Sequence, residues 1–368
     1  MTKQADLAVF IGRFSPFHLG HRSVVLQALD HAEIVAVLVG SSFEARDFFT
    51  PFEFKERERM VYASVPADFH PRLRVRPVVD FLYNDTKWTI GVQDTVNAVI
   101  SEIQQGDSKR RWDADPVRIS LIGHAKDHSS FYLKKFPQWA SIEAQNYAGL
   151  SATPLRSAFF SKAKDWQELV KPAVSEGVLE FLEGFKGTPI YKHMVTEFDH
   201  IRQYRKPYED LIEQGLLHYP PIFSTVDAVV IQSGHVLLVE RRAAPGKGLW
   251  ALPGGFLNQG EWVMDGVIRE LYEETKIKVP EPVVRGSFVD QRQFDAPNRS
   301  ARGRTITTAA VFNLAPRTEL PKVRGADDAK RARWWPIADI RRDLCFEDHY
   351  SIIDWAADVI SQQRPLVR

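Results

Sequence analysis

The stretch GRFSPFHLGH, residues 12–21, follows the apolar run DLAVFI (6–11) and leads into HRSVVLQALDH (21–31). The first flank predicts a buried strand and the second a helix that turns Val24, Val25 and Leu29 toward a core. The quoted stretch is therefore the turn between strand and helix, and His18 and His21 within it admit three readings. A zinc site needs further ligands and a supporting carboxylate, and the stretch offers none. A packed core histidine fits poorly beside Gly12, Pro16 and Gly20, which mark a turn. A phosphate site fits better. Gly12 lets the backbone approach a ligand, a helix starting near His21 presents its anion-favouring end, two imidazoles donate hydrogen bonds, and Arg13 adds a fixed charge.

Outward from this turn the pattern alternates. EIVAVLVG (33–40) predicts a second strand, 52–64 a helix and 73–79 a third strand; a helix from about Thr89 to Gln104 and a strand over 117–122 follow. Strands alternating with helices imply parallel β-α-β units in a doubly wound sheet, which binds ligands at the carboxyl ends of its strands. The 12–21 turn, Asn84 to Trp88, and Gly123 to Asp127 all fall at such ends.

Composition bounds the rest. A chain of 368 residues exceeds one average domain, and 44% hydrophobic with 26% charged residues is ordinary for a globular protein with two cores. Lys+Arg of 48 against Asp+Glu of 47 argues against a nucleic-acid binder. The one cysteine, Cys345, excludes an intrachain disulfide and fits a reducing cytoplasm. No basic-then-apolar leader opens the chain and no apolar run reaches the roughly 20 residues of a membrane helix, so a cytoplasmic protein without membrane contact is expected. A homo-oligomer stays open, since the sequence does not fix the oligomeric state.

GRFSPFHLGH resembles the nucleotidyltransferase signature G-x-F-x-P-x-H-x-G-H, which implies a Rossmann-like parallel-sheet domain that transfers a nucleotidyl group from a nucleoside triphosphate. By that resemblance Gly12, Arg13 and Phe14 bind substrate, and His18 and His21 act in catalysis. A second element of the family, a Ser/Thr-rich turn ending in arginine, is similar to LSATPLR, Leu150 to Arg156. Alone it reads as a capped helix start. Paired with the first motif, it implies that Ser151, Thr153 and Arg156 hold the triphosphate of ATP, with Arg156 catalytic.

The acceptor is suggested by FLYNDTKW, residues 81–88. A tryptophan at a crevice can stack on a cationic pyridinium ring, and an asparagine can pair with a carboxamide. Asn84 and Trp88, with PFEFKERERM (51–60), resemble the archaeal-type nicotinamide mononucleotide adenylyltransferases; the competing reading of Trp88 is a packing anchor for the helix that follows. IGHAKDHSSFYL (122–133) is similar to a further family segment near the adenosine.

The second half carries GGFLNQGEWVMDGVIRELYEETKI, residues 254–277. Glu270, Glu273 and Glu274 stand at i, i+3 and i+4, hence on one helix face, where they repel unless a hard cation such as magnesium or manganese neutralises them. Arg269 and Glu261 can orient the cluster. The stretch resembles the Nudix box G-x5-E-x7-R-E-U-x-E-E-x-G-U, with Gly255, Glu261 and Arg269 as its structural support and Glu270, Glu273 and Glu274 as catalytic metal ligands. It departs at one position: Lys276 stands where the helix-ending glycine belongs. The resemblance implies an α/β/α sandwich. In DQRQFDAPNRSARGRT (290–305), Arg299, Arg302 and Arg304 are candidates to grip the phosphates and ribose of a substrate, since the segment is similar to that of Nudix proteins that hydrolyse or sense ADP-ribose. APGKGLW lacks what a Walker loop requires, and KRRW (109–112) reads as a solvated loop.

Expected boundaries are a nucleotidyltransferase domain over 1–184, a partly helical linker over 185–221 in which Met194, Phe198 and Ile201 share a face, and a Nudix domain over 222–368. Motif order and length resemble the bacterial bifunctional nicotinamide mononucleotide adenylyltransferase/Nudix hydrolases. The resemblance implies NAD and pyrophosphate formed from nicotinamide mononucleotide and ATP, and metal-dependent hydrolysis of ADP-ribose to AMP and ribose 5-phosphate. Nicotinate mononucleotide as acceptor, and a second domain that senses ADP-ribose without turnover, stay open.

Overall fold

The computed structural model describes residues 3–106, 116–123, 135–145 and 147–362. The chain divides into two compact units, Met1–Phe198 and Asp199–Arg368.

In the first unit the elements run β1 (Ala5–Gly12), α1 (Leu19–His31), β2 (Ala32–Val39), α2 (Phe54–Ser64), β3 (Leu73–Pro77), α3 (Asp85–Gly106), β4 (Ile119–Gly123), β5 (Ala140–Glu143), α4 (Ala152–Phe159), α5 (Trp166–Val170) and α6 (Glu176–Lys186). The five strands form one parallel sheet in the order β3-β2-β1-β4-β5. Side chains alternate across it. Ala8, Phe10, Val35 and Val37 share a core with Val24 and Val25 of α1, Val61 of α2 and Leu182 of α6, whereas Leu7, Val9, Ile11, Ala36 and Leu38 pack with Val92, Val96 and Val99 of α3. Strand order reverses between β1 and β4, and such a switch point opens a crevice at the carboxyl ends of the strands.

Helix α7 (Pro189–Glu213) covers much of the expected linker, and its Met194 and Phe198 belong to the core of the first unit. Helix α3 begins at Asp85, four residues before the expected start, because the Oδ1 of Asn84 accepts the backbone N–H of Lys87 and satisfies a first-turn donor. Strand β5 was not foreseen. Both KRRW and most of 122–133 lie outside the described residues.

The second unit holds β6 (Phe223–Gln232), β7 (His235–Arg241), β8 (Trp250–Ala251), β9 (Gly254–Phe256), α8 (Val263–Thr275), α9 (Glu281–Gly286), β10 (Phe288–Phe294), β11 (Thr305–Asn313), β12 (Ala329–Pro336) and α10 (His349–Gln362). Its mixed sheet has the order β10-β11-β6-β7-β12, with β8 on β7 and β9 on β6. Only the β11–β6 pairing along that order is parallel. Val267, Ile268 and Leu271 of α8 are buried against Val226, Ala228, Leu237 and Phe312, at roughly 1.5–3 kcal/mol per large side chain. Among the described residues no helix is long and apolar enough to cross a membrane.

Candidate functional site

At the end of β1 the two histidines form a reciprocal cap. The backbone N–H of His21 donates to His18 Nδ1 (3.3 Å) and that of His18 donates to His21 Nδ1 (3.2 Å), with the rings stacked at 3.5 Å between centroids. A ring nitrogen that accepts carries no proton, so both imidazoles bear theirs on Nε2 and present it as a donor. Gly20 lies under this pair: a Cβ there would meet the His18 ring at 3.0 Å. Gly12 serves differently from the expected close approach to a ligand. Its missing Cβ makes room for the Phe14 ring, which would lie 2.8 Å away. Phe14 is itself buried at a left-handed φ of 51°, edge-on to His21 at 5.0 Å, so it supports the imidazole from beneath.

The second motif meets the first. Ser151 caps α4 by accepting the N–H of Thr153, and Arg156 donates from Nη1 to the carbonyl of Ser15 (2.8 Å) and from Nη2 to Thr153 Oγ1 (3.2 Å). Arg156 is buried, and burial, reinforced by the nearby Arg13 charge, pushes its pKa down to about 10. Arg13 stays exposed. Sequence reasoning assigned no role to Arg57, which lies in the PFEFKERERM segment quoted above. It is buried, its pKa is likewise pushed down to about 10 by burial, and it donates to the carbonyls of Arg13, Gly40 and Ser41. The hydroxyl of Ser41 in turn donates to Asp80 (2.5 Å).

Asn84 and Trp88 lie further along the segment that follows Asp80. The expected loop pair is replaced by a helix start, with Asn84 exposed at its edge and Trp88 half-buried in the first turn, 5.9 Å from the Phe136 ring. Trp88 thus has the packing role that competed with stacking, on at least one of its faces.

In the second unit Arg269 organises the acidic helix. It donates from Nε and Nη2 to the two Glu261 oxygens (2.7 and 3.0 Å), from Nη1 to Glu270 (2.7 Å) and Glu273 (3.0 Å), and from Nη2 also to the carbonyl of Phe256 (3.1 Å). These carboxylates raise its pKa further, while its hydrogen bonds to Glu261 hold that carboxyl below the usual range. Glu274 accepts the N–H of Gly254 (3.1 Å), yet burial pushes its pKa up to about 8; burial also raises Glu270. Among the described residues no three His, Cys, Asp or Glu side chains stand in a metal-holding arrangement. Arg269 takes Glu270 and Glu273, and Glu274 turns to the backbone, so the expected convergence of three carboxylates is not the arrangement seen. The donor set still fits a cation, because Glu261, Glu270 and Glu273 share the single charge of Arg269 and Glu274 is buried on the same helix. Glycines shape the cradle: a Cβ on Gly255 would lie 2.5 Å from Glu270 Oε1, and one on Gly254 would lie 2.3 Å from Asp227 Oδ1. Lys276 adopts the left-handed turn (φ 46°) that glycine would have supplied.

The basic segment is partly regular. Its first part is the strand β10, and Arg299 is buried in a bidentate pair with Asp348 (2.9 and 2.8 Å), which removes it from the phosphate-gripping role expected of it. Arg302 donates to Ser300 Oγ (3.3 Å) and its guanidinium lies 5.6 Å from the Phe256 ring, whereas Arg304 bonds the backbone of Asp295. Asp348 and its neighbours were not singled out in the sequence. Glu347 is held at a left-handed φ of 45°, and the Nδ1 of buried His349 accepts the N–H of Leu252 (2.9 Å).

Comparison with known proteins follows this division. Residues 9–158 match the cytidylyltransferase-like family and residues 222–356 the NUDIX domain. A nicotinamide/nicotinic acid mononucleotide adenylyltransferase of Acinetobacter baylyi is 34% identical over 52% of this chain and 93% of its own. An ADP-ribose pyrophosphatase of Methanocaldococcus jannaschii is 31% identical over 39% of this chain and 77% of its own. The crystal structure of a bifunctional NMN adenylyltransferase/ADP ribose pyrophosphatase from Francisella tularensis, complexed with AMP and a manganese ion, is similar with a TM-score of 0.80. It is 32% identical, and the match covers 96% of this chain and 99% of that one.

Proposed function

The chain belongs to the bifunctional NMN adenylyltransferase/ADP-ribose pyrophosphatase family, and from that premise we propose how its own residues divide the two reactions. It joins nicotinamide mononucleotide to the adenylyl group of ATP, and it hydrolyses ADP-ribose. The observation that carries the first assignment is the 2.8 Å bond from Arg156 to Ser15, which unites two motifs 141 residues apart. His18 and His21 donate through Nε2 to the triphosphate, Arg13 and Arg156 neutralise it, and Ser151 and Thr153 hold it at the start of α4. The mononucleotide phosphate attacks the α-phosphorus in line, so positioning and charge neutralisation lower the barrier and no covalent enzyme intermediate forms. Asn84 and the outer face of Trp88 recognise the acceptor ring. A nicotinate ring is the second reading, favoured by the double acceptor in the name of the Acinetobacter relative.

For the hydrolase, Glu270, Glu273 and Glu274 would hold a divalent cation, magnesium or manganese. When bound, the cation supplies charge that polarises a pyrophosphate and activates water. Arg269, fixed by Glu261, orients Glu270 and Glu273, and Arg302 over Phe256 contributes the positive charge next to that cradle. The buried thiol of Cys345 suits a reducing cytoplasm. Chromatography of products tests both halves. ATP with either mononucleotide is expected to yield the dinucleotide and pyrophosphate, and ADP-ribose with magnesium or manganese is expected to yield AMP. Tight binding of ADP-ribose without AMP would make the second unit a sensor.

A further inference from the structure

One buried guanidinium joins the two strand ends that frame the transfer crevice. Arg57 of α2 is 1% exposed. It donates from Nη1 to the carbonyls of Arg13 (2.8 Å) and Gly40 (2.7 Å) and from Nη2 to that of Ser41 (3.0 Å), while its buried Nε has no hydrogen-bond partner. The loops it holds are strained: Phe14 (φ 51°), Ser41 (φ 48°) and Phe43 (φ 66°) are all non-glycine residues in the left-handed region. Each loop carries one side of the reaction. The first bears Arg13 and, through Phe14, the support of His21; the second bears Ser41, whose hydroxyl leads to Asp80 and the segment with Asn84 and Trp88.

Resting on the adenylyl-transfer reading above, we infer that Arg57 is a positioning residue for that reaction, setting the distance between the triphosphate side and the acceptor side of the crevice. Three carbonyl oxygens directed at one group call for several donors at once, which the five N–H groups of a guanidinium supply in a fixed fork. Closed off from solvent and bonded to backbone, Arg57 acts through the loops it holds. Its loss therefore disturbs alignment more than affinity, and misplacement by about 1 Å costs on the order of 100-fold in rate.

The test uses the full chain carrying Arg57→Met or Arg57→Lys. NAD formation from ATP and nicotinamide mononucleotide, ADP-ribose hydrolysis in the same samples, and the number of mononucleotide sites by titration calorimetry are measured together. Arg57→Met is expected to lower the transfer kcat about 100-fold per titrated site, with both KM values within about threefold and hydrolysis within about twofold. Arg57→Lys is expected to recover about tenfold, since an ammonium can still serve part of the carbonyl set. A kcat per site within about twofold of wild type in Arg57→Met overturns the inference, because Arg57 then only maintains the fold. If Arg57→Met retains no sites, Arg57→Lys decides: wild-type kcat per site overturns the inference, and a reduced kcat at unchanged KM supports it. Failure of the wild-type chain to form NAD would instead refute the transfer reading itself.

Discussion

The arginines that organise the two units stand in opposite electrical company. Arg57 and Arg156 in the first unit donate to carbonyl and hydroxyl oxygens, and burial pushes both down to about 10. Arg269 and Arg299 in the second unit lie against carboxylates, which raise them. The first crevice therefore carries positive charge that an anion can answer. The second carries carboxyls in excess, with Glu270 and Glu274 raised by burial, and a cation can answer those. A residue type shared by two regions thus reports opposite ligand chemistry once its partners are known.

The contrast can be broken most directly by removing one arginine from each unit. Arg299→Ala strands Asp348 as a buried charge and is expected to destabilise the second unit by about 3–5 kcal/mol in urea unfolding. Arg156→Met strands no charge and is expected to cost about 1–2 kcal/mol through lost hydrogen bonds. Equal costs would contradict the comparison.

A pH series sharpens it. Burial holds His349 neutral and below the ordinary histidine range. Between the unfolded value of about 6.5 and its lower folded value, the unfolded chain binds the proton and the folded one does not, so stability falls as pH drops through that window. His349→Gln is expected to flatten this part of the pH–stability curve, and an unchanged slope would assign the dependence elsewhere. The smallest effect belongs to Lys276. Replacing it with glycine relieves the left-handed backbone and is expected to raise stability by about 0.5–1 kcal/mol, read as a shift in Tm.

Much of this was legible in advance where local pattern and tertiary environment agree. The apolar runs of β1 and β2 and the carboxylate spacing of α8 mark their elements without help from the rest of the chain. Strand β5 is a four-residue edge with exposed and half-buried side chains, so no core face announced it. Strand β10 likewise is mostly polar and exposed, so no core face marked it. Arg57 drew no assignment within KERERM because the carbonyls that it serves come from loops 16 to 44 residues away. Arg299 looked like a phosphate hand because Asp348 is 49 residues away. Asn84 was legible as a polar residue at a crevice, but its capping of α3 depends on a backbone donor that no side-chain pattern displays.

Two active sites of opposite charge character in one chain imply that each reaction can be lost alone. NAD formation and ADP-ribose hydrolysis are therefore measured side by side in the full chain carrying either His18→Ala or Glu273→Gln with Glu274→Gln. The first variant is expected to lose about 100- to 1000-fold in transfer and keep hydrolysis, while the second loses metal-dependent AMP release and keeps transfer. A variant that lowers both reactions together, or neither, would refute two independent sites.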